Sequence, residues 1–196
     1  QLLPDVLPHY LVLAKERPEV SIWIGDSIIV GPNGDCLAWR RSAGLVWPVI
    51  AATDLYVPSC AMLFHRRIRD AGVRFASRWR CVADELLIVE LLRRGFRWRH
   101  CGRTVAAFTV TGANLGSSPT AAKEREELKN TYPRWIRSLR PLFRFVRVLL
   151  KLAWGAWRPP SPLVYELYLG DGLSQRRRFT EPRPPWRWPL PRGGTC

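Results

Sequence analysis

At 196 residues and 47% apolar side chains the chain is long enough to bury one sizeable core with extensions, and no uncharged apolar run reaches the roughly 18 residues a spanning helix needs. Its 31 basic residues, only four of them lysines, outnumber 16 acidic ones for a net charge of +15, which draws a chain toward phosphates, anionic lipid or nucleic acid. Five scattered cysteines without a Cys-x-x-Cys pair, and three histidines at no zinc-ligand spacing, point away from a disulfide framework and from a zinc site.

In chain order, residues 2–17 read as a helix with Asp5 near its start and Pro18 after its end. Residues 21–24 and 28–30 are β-rich, 31–35 form a turn and 36–40 return as a strand, which makes a hairpin. Residues between Pro48 and Pro58 are less regular, and 65–71 read as a short helix stopped by Gly72. The next helix opens on Asp84 and Glu85, runs through Leu86, Leu87, Ile88, Val89, Leu91 and Leu92, and stops at Gly95. Capping of free N–H groups by a first-turn carboxylate accounts for Asp84 by itself. Residues 96–100 and 105–108 read as two strands, 111–119 as a loop, and helix resumes near Thr120.

From Tyr132 onward Arg137, Arg140, Arg144, Arg147 and Lys151 recur every three or four residues, one basic stripe on a helix. Phe143, Val146, Leu150 and Trp154 form part of the apolar surface opposite. Such a helix either docks on the domain core or lies in a membrane interface with its cations toward headgroups. After Pro159-Pro160 the chain is rich in Pro, Arg and Trp and reads as an irregular, loosely ordered tail.

Several phrases in this order resemble the C-terminal half of a family 2 glycosyltransferase of the GT-A type. Leu2-Leu3-Pro4 with the following helix and Arg17-Pro18-Glu19-Val20 is similar to the segment after the family's metal motif. Gly25-Asp26 with Gly34-Asp35, Phe64-His65-Arg66-Arg67, and Ala83-Asp84 through Gly95 match further elements. Ser59, Glu90 and Thr111 depart from the family's frequent residues at those places.

The resemblance implies an α/β fold, an incomplete GT-A-like (nucleotide-diphospho-sugar transferase) fold lacking its N-terminal strands. It spans residues 1–132, followed by a basic amphipathic helical region, 133–158, and a Pro/Arg/Trp-rich extension, 159–196. It further implies inverting sugar transfer from a nucleotide-sugar donor to a glycan or lipid-linked acceptor, with Asp84 as general base and Glu85 as the alternative. A divalent cation, Mg or Mn, is expected of the complete family enzyme. None is expected for this chain alone, which starts where the metal and sugar-nucleotide motif should already have passed and reads as truncated and inactive alone. With no secretory signal, a cytoplasmic place is expected, with a peripheral one at the cytoplasmic membrane face left open. The competing expectation is a non-enzymatic basic module binding anionic membrane or nucleic acid through Arg176–Arg178, Trp186 and Trp188. No specific nucleic-acid motif accompanies them.

Overall fold

The computed structural model describes residues 1–112, 114, 116, 118–169 and 175–187. Its mixed α/β core is built around one strand, β1 (Val20–Val30), buried along its entire length. A run of Val, Ile and Trp with few polar breaks is the pattern of a strand covered on both faces. One edge of β1 is shared by two antiparallel partners: β2 (Cys36–Arg40) beside Ser27–Val30, and β3 (Met62–Phe64) beside Ile22–Ile24. Along the other edge β4 (Arg97–Thr109) runs parallel.

The two separate strands expected on each side of Gly25-Asp26 are one. So are the two expected around Gly102, where β4 makes a bulge, with Gly102 at φ 77° and the pairing passing from Ile24↔His100 to Asp26↔Thr104. At Gly25 the strands approach so closely that a Cβ would sit 2.5 Å from the Val105 methyls.

Helix α1 (Val6–Glu16) starts later than the sequence suggested, because the first residues are used as a strand edge. Leu3 N–H donates to Val105 O and Ala107 N–H to Gln1 O, both at 2.9 Å, so Leu2 bridges Ala106 on the free side of β4. Helix α2 (Trp47–Ala52) packs against α4 (Ala83–Arg93), α6 (Arg134–Ser138) and α7 (Arg140–Ala153). Short α3 (Arg67–Asp70) ends at Gly72, φ 76°, and α4 at Gly95, φ 82°, both at the glycines expected to stop them. Helix α5 (Pro119–Thr131) is capped by Ser118, whose Oγ accepts from Ala121 N–H at 3.1 Å. Among the described residues no helix is long and apolar enough to cross a membrane.

The expected irregular tail contains a hairpin instead: β5 (Leu163–Tyr168) pairs antiparallel with β6 (Arg176–Glu181). Leu163, Tyr165 and Leu167 alternate inward into the core, and Tyr165 OH donates to Gly34 O at 2.8 Å. Gln1 clamps the end of β5, donating to Tyr168 O at 2.7 Å and accepting from Tyr168 N–H at 3.0 Å. Composition favours disorder here, but tertiary contacts to the 31–35 turn and the N-terminus override it. Arg176, Arg177 and Arg187 lie over the rings of Tyr168, Phe179 and Trp186. Trp188, named with them in the binding-module expectation, lies outside the described residues.

Asp26 is the polar centre of this core. Its side chain is 3% exposed, inside β1, where the sequence suggested a break between two strands. Oδ1 accepts from Ser42 N–H and from His100 Nε2, each at 2.9 Å, and Oδ2 from Arg41 at 2.8 Å. His100 Nδ1 accepts from Gly102 N–H at 2.9 Å, which leaves Nε2 as the nitrogen that donates to Asp26. Removing one partner of a buried charged network strands the others. Asp26→Ala is therefore expected to lower unfolding stability by about 3 kcal/mol or more in urea titrations, and Asp26→Asn, which keeps one acceptor oxygen, by clearly less.

Candidate functional site

A cleft of about 1830 Å³ opens at the C-terminal ends of the parallel pair β1 and β4, marked by Ile29 and by Phe108 and Val110. Open α/β sheets bind their ligands at this end, where loops leave parallel strands. The end of β2 contributes Arg40 and the segment after it Arg41, and the segment after α2 contributes Asp54 to Ser59. The start of α4 adds Asp84 and Glu85, and α5 adds Arg125. Val148, Lys151 and Leu152 of α7, Trp157 just beyond it, and Trp186 and Arg187 of the C-terminal extension also line it.

Asp84 and Glu85 both line the cleft, but differently. Adjacent helical residues point about 100° apart. Asp84 is half-buried, with Oδ1 accepting from Glu85 N–H at 2.9 Å as expected of a carboxylate in a first helical turn. Burial pushes its carboxyl above the ordinary value, against the lowering effect of that N–H bond and of the Arg125 charge. Glu85 is buried, and its Oε2 accepts from Leu55 N–H at 3.0 Å, so it pins the segment after α2 to α4. Desolvation pushes the Glu85 carboxyl up to about 7, more strongly than the Leu55 bond lowers it, and the charge of Asp54 adds to the rise. Asp54 itself is paired with Lys129 at 2.9 Å. Glu124 of α5 accepts from Arg80 N–H and Cys81 N–H, the latter at 2.7 Å, and so fixes the loop that delivers Asp84.

Facing these carboxylates is a cluster of cations that pattern reading did not assemble. Arg40, Arg147 and Lys151 stand close enough to act on one another. Burial lowers the affinity of each for its proton, and the Arg147 charge adds to this at Arg40 and Lys151. Among the described residues none of the three makes an ion pair with a carboxylate. Arg147 lies over the Tyr56 ring, 5.1 Å from its centre, and its Nε is buried with no hydrogen-bond partner. Tyr56 OH in turn donates to Gly44 O. The sequence signal was Arg40-Arg41 at the end of the apolar strand Cys36-Leu37-Ala38-Trp39; only three-dimensional packing joins it to α7.

The basic stripe expected on α7 is thus divided in use. Lys151 lines the cleft, Arg147 lies over the cleft-lining Tyr56, Arg140 is half-buried, and Arg137 and Arg144 are exposed. Phe143, Val146, Leu150 and Trp154, the apolar surface expected opposite the cations, pack against the protein core, one of the two placements the sequence left open. Trp154 makes tilted ring contacts with His100 and Trp98, at 5.6 and 5.9 Å between ring centres, which tie α7 to the Asp26 network.

The divalent cation implied by the resemblance finds no donor set here: among the described residues no three His, Cys, Asp or Glu side chains converge in a metal-binding group. No protein family, curated protein or solved structure matches this chain.

The raised Glu85 carboxyl has a signed consequence for stability. Its folded value, about 7, lies above the ordinary 4.5, so its contribution is fully present below about pH 4.5 and is lost as pH rises through 7. Glu85→Gln keeps an acceptor for Leu55 N–H without an ionisable group. Relative to wild type, its unfolding free energy is expected to improve from pH 5 to pH 8, by at most roughly 3 kcal/mol. Urea titrations at the two pH values measure it; equal differences at both would show that Glu85 does not titrate in this window.

Proposed function

We propose that this chain is the acceptor-side half of a GT-A-type glycosyltransferase domain and that Asp84 is its general base. The observation that carries the proposal is the half-buried Asp84 carboxyl, raised by burial, at a helix start in a cleft at the C-terminal ends of parallel strands. The order of sequence phrases resembling family 2 supports it.

A base of this kind accepts the proton of an acceptor hydroxyl as the oxygen attacks the anomeric carbon of the donor. The new O–C bond forms as the bond from that carbon to the diphosphate oxygen breaks, and the leaving diphosphate keeps the electron pair. A carboxyl whose proton affinity is raised toward working pH is a stronger base for that transfer than an exposed one. Glu85, fixed to Leu55 N–H and more deeply buried, serves to position the cleft wall. Arg40 and Lys151 line the same cleft and, with Arg147 beside them, offer uncommitted positive charge to a phosphate-bearing ligand.

The test uses a version of the protein extended at its N-terminus by the nucleotide-binding strands of such a domain. With a range of nucleotide sugars and hydroxyl acceptors, Asp84→Asn is expected to lower turnover about 100-fold or more while leaving donor affinity nearly unchanged. Glu85→Gln is expected to be milder. Full turnover in the Asp84→Asn protein would remove Asp84 from the role of base.

A further inference from the structure

Helix α7 carries two apolar faces, and the core uses one. At 100° per residue, Phe143, Val146, Leu150 and Trp154 occupy a sector of about 80° that packs on the core. Leu142, Phe145, Leu149 and Leu152 fill a second sector of about the same width, centred roughly 120° away. These four are between 45% and 59% exposed, and Val148 beside them is 52% exposed. The third sector holds Arg140, Arg144, Arg147 and Lys151. A surface helix normally turns charged residues to water opposite its core face; here that place is occupied by Leu, Phe and Val.

We infer that this outer face of α7 docks on an anionic lipid bilayer, with the helix lying in the interface plane. Charge selects this occupant. From Leu128 to Tyr165 the chain carries Lys and Arg throughout and no Asp or Glu. A helix that is apolar on its outer face and flanked by cations matches the boundary between acyl chains and anionic headgroups on both counts. Arg137 and Arg144 are exposed and reach headgroups from outside the cleft. Val148 and Leu152 belong both to the outer face and to the cleft rim, so docking sets the mouth of the cleft at the membrane surface. An acceptor reaching Asp84 from that side is a hydroxyl-bearing lipid-linked glycan. The docking itself stands apart from sugar transfer; only the choice of acceptor rests on the proposed function.

Flotation of the full 196-residue chain with vesicles of phosphatidylcholine, with and without phosphatidylglycerol, tests the docking. Wild type is expected to float with the anionic vesicles at low salt and to bind those of pure phosphatidylcholine at least tenfold more weakly. Phe145→Ser with Leu149→Ser, both at exposed positions, is expected to weaken anionic-vesicle binding tenfold or more, and so is Arg137→Glu with Arg144→Glu. Far-ultraviolet circular dichroism and cooperative unfolding establish that each variant is folded. Failure of wild type to float overturns the inference. So does undiminished binding by the Phe145→Ser/Leu149→Ser chain, which would mean generic charge attraction. A wild-type dimer that these serines dissolve, with no vesicle binding, assigns the face to a second copy and overturns it as well. None of these readouts depends on transferase activity.

Discussion

A carboxylate buried within a strand is tolerable only when every oxygen finds donors, and that requirement at Asp26 arranges much of the molecule. To meet it, β4 has to present His100 beside β1, and the chain leaving β2 has to fold Arg41 and the Ser42 amide inward. The bulge in β4 around Gly102 follows His100 directly, and the Gly102 amide holds the imidazole in the tautomer that donates to Asp26. Ser42 is held from a second side, its Oγ donating to Gly25 O at 2.6 Å. Arg40 reaches the cleft because its neighbour Arg41 is fixed in this way.

The same network extends to α7 through aromatic contacts. His100 and Trp98 lie against Trp154, at the C-cap of α7, and Gly44 fits between the two indoles where a Cβ would come within 2.8 Å of Trp98. With its end anchored there and Phe143, Val146 and Leu150 packed on the core, α7 has its rotation about its own axis set. That rotation puts Arg147 over Tyr56 and Lys151 on the cleft rim. A cation cluster with little compensating charge is costly inside a protein, and the core packing of α7 is what holds it in place.

Local elements were legible in the sequence to the extent that one residue decides them. Gly72 and Gly95 stop α3 and α4, and the turn at residues 31–35 joins β1 to β2 as its Gly, Pro and Asn content suggests. Asp84 and Glu85 stand in the first turn of α4, and both line the cleft. What escaped reading depends on partners distant in sequence. Asp26 fell in a break between two expected strands because a buried charge in a strand is unusual until its three donors are known. The paired strands β5 and β6 hid in an Arg- and Pro-rich stretch because what orders them, the contacts to the 31–35 turn and to Gln1, lies far away in sequence. For α7 the periodicity separated cations from apolar residues correctly, but it cannot say which of two apolar sectors meets the core.

The division of α7 into three sectors reconciles the alternatives the sequence left open, docking on the core or lying in an interface. Neither apolar sector alone spans much more than a third of the helix circumference, so a helix with both can satisfy a core contact and still present Leu142, Phe145 and Leu149 outward. The cations between them then have two environments. Arg147, half-buried over Tyr56, loses water and feels the charge of Glu85, whereas Lys151 at the cleft and Arg144 at the outer edge are exposed. Desolvation makes Arg147 more responsive to an incoming anion than exposed arginines are, because a charge already partly stripped of water pays less to meet its partner. One helix thus couples the outer surface of the domain to the electrostatics of the cleft, and its orientation is inherited from the buried carboxylate in β1.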